Sequence, residues 1–426
     1  MSAAARPPEG GAPSLGEAAA QRQEGSSSSA PARPPEGGAP SLGEAAAQRQ
    51  EGSSSSETPM AAGWDEARNV LCIRLDNMGD VLMTTPAMRA LKGALPGRRL
   101  TLLASRSGAA IARHVPEIDE VIVYEAAWVK NAGSPPDTYH ATVDRLRACR
   151  FDAAVIFTVY SQSALPAALM CHAAGIPRVL AYSRENPYHL ISDWVREVEP
   201  LPEPRHEVQR QLDLVATIGV QAVDTGLSFR VDDADQEGLD RTLRAHGVAL
   251  SHGWVLAHCG ATAESRRYPT ALFAQAIDML AGAGERVILT GSPDERTLVD
   301  EVVARSCDPR RLANLAGALT LGEFGALVAR ARLLVSNNSG PVHIAAALGT
   351  PVVDLYALTN PQHTPWQVPH RLLYRDVPCK YCYRSVCPLG HHACLSAVDP
   401  SQVAQAAFEL LESHARARPP IMIEAA

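Results

Sequence analysis

Two doubly wound, parallel-sheet α/β domains facing a central crevice, preceded by a disordered tail, are the fold class this sequence predicts. Three observations carry the prediction. The chain has 426 residues, more than one hydrophobic core normally serves, so two folded units are expected. From about residue 64 onward, short apolar runs alternate with longer amphipathic stretches, as in strands covered by helices on both faces. The alternation pauses at a polar, acidic stretch and then restarts. The chain therefore divides into a tail over 1–65, a first α/β domain over 66–222, a linker over 223–252, a second α/β domain over 253–400, and a C-terminal helix and tail over 401–426.

Ala5 to Ser29 recurs unchanged as Ala32 to Ser56. This tandem duplication is rich in Pro, Gly, Ser and Glu and nearly free of bulky apolar residues. It cannot bury enough surface to offset chain entropy and is expected to be disordered. Met60 follows it as an alternative start, and residues 1–59 are expected to be dispensable for folding and activity.

In the first domain, residues 70–75, 100–104, 120–124 and 153–158 have the length and composition of strands buried on both faces, with helical spacing over 88–95 and 142–149. Residues 164–176 form an apolar run interrupted by Pro166 and His172. It is shorter than the roughly 20 residues that span a bilayer, and so reads as a buried helix. Past the acidic stretch at 231–238, a helix is expected over 239–246 and strands over 254–258, 286–290, 332–335 and 352–356. The last amphipathic run, 401–411, is expected to form a helix that either crosses back to the first domain or is an ordinary packing helix. Ligands of such sheets bind outside the strands' carboxyl ends, which puts the site in the crevice.

Composition narrows the function. Apolar residues make up 46% and charged residues 20% of the chain, as in a globular enzyme. A net charge of -7 argues against nucleic acid as a partner, because a phosphate backbone needs a basic surface. The N-terminus has no apolar signal core, so a cytoplasmic protein is expected, with its nine cysteines reduced or bound to metal.

Three segments can carry chemistry. The first strand, NVLCIRL, runs into DNMGD and a helix, so Asp80 stands at the mouth of a strand–turn–helix unit; it equally suits an N-cap, and Asp76 a turn residue. In AHCGATAESRRYP a strand opens into a small-residue loop with Thr262, Arg266 and Arg267, suited to wrapping a diphosphate, although paired arginines also occur on solvated surfaces. In VSNNSGPVHIAAALGTPVV a strand leads through Asn337, Asn338 and Ser339 to a helix start at Gly340 and Pro341. The exposed N–H groups of a helix start form an anion site.

Together these segments resemble glycosyltransferase family 9, and the resemblance extends over residues 68–412. It implies a GT-B-like pair of Rossmann-like domains and an inverting transfer of a sugar, heptose from ADP-heptose, to a lipopolysaccharide core or related glycan. The family's Gly-Asp maps onto Gly79-Asp80, which makes Asp80 the base that deprotonates the acceptor hydroxyl. The family's Lys-x-Trp-Pro resembles Arg266-Arg267-Tyr268-Pro269, so its phosphate-binding Lys corresponds to Arg266. Its Ser-Asn-Asp-Ser-Gly-x-x-His resembles Ser336 to His343, with Asn338 where the family often has Asp. Thr262, Arg266, Asn337, Asn338, Ser339, Gly340 and His343 are thereby implied as donor and phosphate ligands. Arg for Lys keeps the positive charge and adds a bidentate fork, whereas Asn for Asp removes a charge beside the donor.

The resemblance also implies a lipid-linked anionic glycan as acceptor, with peripheral association at the inner face of the cytoplasmic membrane. Cationic groups of the first domain would meet it. Arg106, Arg113 and Arg184 lie in or near loops and helix starts, and His206 and Arg210 in RHEVQRQLDLV are singled out as acceptor ligands. Catalysis is expected to need no cofactor. Cys379, Cys382, Cys387 and Cys394 form a loop that is either a structural zinc site or a set of packed reduced thiols. Two rival readings remain beside the transferase: a nucleotide-sugar epimerase of similar fold, and a non-catalytic nucleotide- or metal-binding module.

Overall fold

A computed structural model describes residues 60–129, 135–201, 204–249 and 253–417. The tandem duplication lies outside them, and residues 60–65 belong to the fold, with Trp64 fully buried. The first half carries β1 (Asn69–Arg74), α1 (Met78–Ala94), β2 (Arg99–Ala104), α2 (Arg106–Ala109), β3 (Glu120–Val123), α3 (Pro136–Cys149), β4 (Ala153–Ile156), α4 (Leu165–Ala174), β5 (Val179–Ser183), β6 (Asp193–Arg196) and α5 (Glu207–Ala216). The second carries α6 (Asp233–Ala245), β7 (Trp254–His258), α7 (Thr270–Gly282), β8 (Arg286–Thr290), α8 (Arg296–Arg305), β9 (Leu312–Asn314), α9 (Leu321–Arg330), β10 (Leu333–Asn337), α10 (Gly340–Leu348), β11 (Val352–Leu355), β12 (His370–Leu373), α11 (Ala393–Ser396) and α12 (Pro400–Ala417).

These strands build two six-stranded sheets, β3-β2-β1-β4-β5-β6 and β12-β11-β10-β7-β8-β9, parallel throughout. Read from its first strand, each sheet has the same doubly wound order, reversing between β1 and β4 in one and between β7 and β10 in the other. These two reversals are the places where such sheets bind ligands.

The strand pattern follows from burial on both faces. Val70 and Cys72 of β1 face one core while Leu71 and Ile73 face another; Trp254 and Leu256 of β7 part from Val255 and Ala257 in the same way. The outer face of the first sheet packs under α3 and α4, and that of the second under α7, α8 and α12. The other two faces share one core with α1, α5, α6, α9 and α10.

Two expectations are corrected. All but the first two residues of the acidic stretch expected as linker are helix: α6 starts at Asp233, and Asp235 Oδ2 accepts from the backbone N–H of Asp232 at 3.2 Å. Its acids sit in the first turn, where the helix dipole favours them. The C-terminal helix α12 packs on the second sheet and α7 instead of crossing to the first domain. Its apolar stripe of Val403, Ala404, Ala407, Leu410 and Leu411 is buried in the second-domain core.

Candidate active site

Both reversal points end in a strand–turn–helix unit, β1 into α1 and β10 into α10, and the two helix starts meet. A β-carbon on Gly79 would lie 2.8 Å from Cδ2 of His343, and one on Gly340 would lie 2.9 Å from Sδ of Met78. At Gly79, where the neighbour is a buried ring, only glycine permits this approach. Two positive helix ends, one from each domain, thus converge on one region.

On the first-domain side one guanidinium gathers three carboxylates. Arg74, fully buried at the end of β1, holds Asp76 (Nε–Oδ2 3.0 Å), Asp80 (Nη2–Oδ1 3.3 Å) and Glu207 (Nη1–Oε1 2.8 Å). Asp80 also accepts from the backbone N–H of Asn77 at 3.1 Å, so it caps α1 while keeping 13% of its side chain exposed. Burial raises the pKa of Asp80; Arg74 opposes the rise, Glu207 adds to it, and Arg266 across the site opposes it again. Burial likewise pushes Asp76 up to about 6 against the pull of Arg74. Glu207 is held below its usual range because the attraction of Arg74 and Arg210 outweighs its burial.

On the second-domain side the groups are amides, neutral imidazoles and an unengaged cation. Arg266 ends a 3₁₀ turn (Glu264–Arg266) tied to the cysteine-rich loop, where Ser265 bonds to the carbonyls of Arg384 and Ser385 at 2.6 and 2.9 Å. Its guanidinium makes no hydrogen bond or ion pair among the described residues, yet its field reaches Asp80, His343 and Asp354. Thr262 is exposed on the same loop. Asn337 is fully buried and staples two segments, donating to the Cys259 carbonyl at 2.6 Å and accepting from the Tyr268 N–H at 3.0 Å. Asn338 donates to Asp354 Oδ2 and to the His363 carbonyl, both at 2.9 Å. Ser339 is the N-cap residue of α10, and its hydroxyl bonds to the Asn337 carbonyl at 3.2 Å. His343 is buried with Nδ1 unpartnered, and burial keeps it neutral by lowering its pKa well below the usual value.

The acceptor ligands expected in RHEVQRQLDLV are used internally. Arg210 is fully buried, bonded to Glu197 and the Thr158 carbonyl and stacked on Tyr182 at 4.4 Å. His206 caps α5 through Nδ1, reaches the Thr364 carbonyl at 2.9 Å and lies against Trp366, and burial lowers its pKa to about 4. Both residues hold α5 in place, and with it the residue between them that sequence reasoning passed over, Glu207. Its spacing to Gln211, which donates to it at 2.7 Å on the next turn, was the available signal. Asp354 was also missed: it is buried in β11 with Oδ1 unpartnered, and burial raises it to about 8.

In the cysteine-rich segment, Cys379 Sγ lies 3.9 Å from His391 Nε2, and no group of three or more His, Cys, Asp or Glu side chains among the described residues is gathered as a metal site. Burial raises the Cys394 thiol, and the sulfurs of Cys387, Cys379 and Cys382 add to the rise, so the four lie within electrostatic reach.

A family model described as glycosyltransferase family 9 (heptosyltransferase) matches residues 139–393, more than half of the chain. The chain belongs to glycosyltransferase family 9. This family 9 enzyme is 28% identical to lipopolysaccharide heptosyltransferase 3 of Escherichia coli over 296 residues, covering 68% of this chain and 83% of that one. It is 28% identical over 324 residues to lipopolysaccharide heptosyltransferase 1 of Pseudomonas aeruginosa, covering 75% and 87%. Its fold is shared with a family 9 glycosyl transferase from Veillonella parvula (TM-score 0.68, 21% identity, 83% and 99% covered). It is shared also with the E. coli ADP-heptose heptosyltransferase II (TM-score 0.64, 22% identity, 82% and 99% covered). The two-sheet GT-B-like architecture expected from the sequence is thereby established, and the chain is a glycosyltransferase.

Proposed function

We propose that this enzyme transfers heptose from ADP-heptose to the core of a lipopolysaccharide or a related lipid-linked, anionic glycan, with inversion at the anomeric carbon. The observation that carries the reading is the meeting of α1 and α10 at Gly79 and Gly340, which brings an acid and an unengaged cation to two converging helix starts. Asp80 takes the proton of the acceptor hydroxyl as its oxygen attacks the anomeric carbon. The bond to the diphosphate breaks, and ADP departs toward Arg266, Thr262 and the N–H groups at Ser339 and Gly340. Asn337, Asn338 and His343 hold the walls of that subsite. The names of the relatives, lipopolysaccharide heptosyltransferases, support the sugar and the acceptor class.

The chemistry so written uses side chains and helix ends and calls on no cofactor. A structural zinc on Cys379, Cys382, Cys387 and Cys394 would brace the loop that anchors the Arg266 turn; metal analysis before and after Cys379→Ser and Cys382→Ser tests it. No helix among the described residues is long and apolar enough to cross a membrane. We propose a cytoplasmic enzyme that meets its lipid-linked acceptor at the inner membrane face.

The test is product analysis with a panel of ADP-, UDP- and GDP-sugars and a lipopolysaccharide core acceptor. The reading expects heptose added to the acceptor from ADP-heptose and no change of donor when acceptor is omitted. Use of another donor would discard the heptosyl assignment, and donor conversion without acceptor would favour an epimerase.

A further inference from the structure

The segment that follows β11 is tied to both halves of the site, and its His363 takes no part in the chemistry above. The His363 carbonyl accepts from Asn338 at 2.9 Å, and the Gln362 carbonyl accepts from the backbone N–H of Glu207 at 3.0 Å. These two bonds hold the residue between the anion side and the acid cluster. Its ring is buried, with 8% of the residue exposed. It lies within electrostatic reach of Arg266 from the second domain and of Glu207, Arg74 and Asp76 from the first.

The neighbouring amide reveals where the ring carries its proton. Asn360 Oδ1 accepts from the backbone N–H of Gln362 at 2.8 Å, which identifies that atom as the oxygen and turns Nδ2 toward His363 Nε2 at 3.3 Å. An amide nitrogen only donates, so Nε2 accepts and the one proton of a neutral ring sits on Nδ1. Burial keeps the ring neutral, lowering its pKa to about 4 against the pull of Glu207.

A neutral N–H donor suits this place. It adds no charge to compete with Arg266 for the diphosphate or with Arg74 for the acids. Asn338 has both amide hydrogens committed, to Asp354 and to the His363 carbonyl, and can offer a ligand only an acceptor. On the transferase reading the transferred sugar lies between Arg266 and Asp80, where a hydroxyl paired with a fixed donor separates one sugar from another.

We propose that His363 is a specificity residue for the transferred sugar, its Nδ1–H donating to one of that sugar's hydroxyl groups. The inference rests on the transferase reading and adds a residue that selects the sugar rather than the nucleotide.

The test is calorimetric titration of the full chain with ADP, ADP-heptose and ADP-heptoses lacking one hydroxyl each, in the wild type, His363→Leu and His363→Asn. In His363→Leu, ADP affinity should be unchanged and ADP-heptose about tenfold weaker. His363→Asn, whose amide puts an N–H at the distance of Nδ1 from the backbone, should recover most of that loss. One deoxy donor should bind the wild type and His363→Leu equally, because the partner hydroxyl is already gone. Equal losses for ADP and ADP-heptose would overturn the proposal. So would a loss that no deoxy donor cancels, since the proton would then be spent within the chain. If the wild type binds ADP-heptose and His363→Leu binds it equally well, this inference alone falls; if the wild type does not bind ADP-heptose, the heptosyl reading falls with it.

Discussion

The two sheets wind in the same order and reverse at equivalent places, yet their reversal points are furnished in opposite ways. At the first, one buried guanidinium serves three carboxylates, so negative charge is in excess and each acid competes for Arg74. At the second, Asn337, Asn338 and neutral His343 fill the space, and the cation, Arg266, has no ion-pair partner among the described residues. On the proposed reading, one fold builds a proton acceptor and an anion receptor from the same strand–turn–helix unit by changing a few turn residues. Catalysis needs that difference, since a base with too many cations loses its affinity for protons and a phosphate site with too many acids repels its ligand.

The strongest way to break this contrast is to remove the acid. Asp80→Asn keeps a capping side chain but cannot accept a proton, and transfer should fall about 10²–10⁴-fold with ADP affinity retained. Near-normal turnover in a folded variant would leave Asp80 as a cap only. On the other side, Arg266→Ala should lower kcat by about 10²–10³, the usual effect of deleting a group that stabilises developing charge.

Smaller changes sharpen the contrast. Gly79→Ala presses a β-carbon onto the buried His343 ring and should cost about 1–3 kcal/mol in urea unfolding. Gly340→Ala meets only the flexible end of Met78 and should cost less. In pH–rate profiles, activity needs Asp80 ionised and its pKa is raised. Transfer should therefore be lost as pH falls through a value above the ordinary 3.8 for aspartate, and Glu207→Gln, which removes a charge that raises Asp80, should move that limb to lower pH. The smallest effect concerns Asp354. Its folded pKa of about 8 lies above the ordinary 3.8, so the folded state holds the extra proton and this residue costs stability as pH rises through that window. Asp354→Asn should flatten that part of the profile of melting temperature against pH.

Much of this was legible in the sequence. Strands with both faces buried, such as β1, β4, β7 and β10, read as continuous apolar runs, and the turns after β1, β7 and β10 carried the acid, the arginine and the helix start. The strands passed over were mostly short or at the margins. β6 alternates exposed and half-buried residues, β9 has three residues, and β12 lies at an edge with none of its residues fully buried. The helix α6 was shortened because its acids read as linker, although they are the capping residues themselves. In the site, the residues missed owe their character to distant partners. Glu207 meets Arg74 across 133 positions of chain, and Asp354 becomes a perturbed acid only inside β11. A local pattern cannot tell a polar group aimed at solvent from one spent inside the fold: Arg210 bonds to Glu197, and His206, kept neutral by burial, bonds to the Thr364 carbonyl.

The division of labour between the two reversal points is tested most directly by calorimetric titration of ADP into the wild type, Asp80→Asn and Arg266→Ala. The account predicts tight binding to the first two and a loss of at least about tenfold in the third. Equal ADP affinity in Arg266→Ala and the wild type would contradict it.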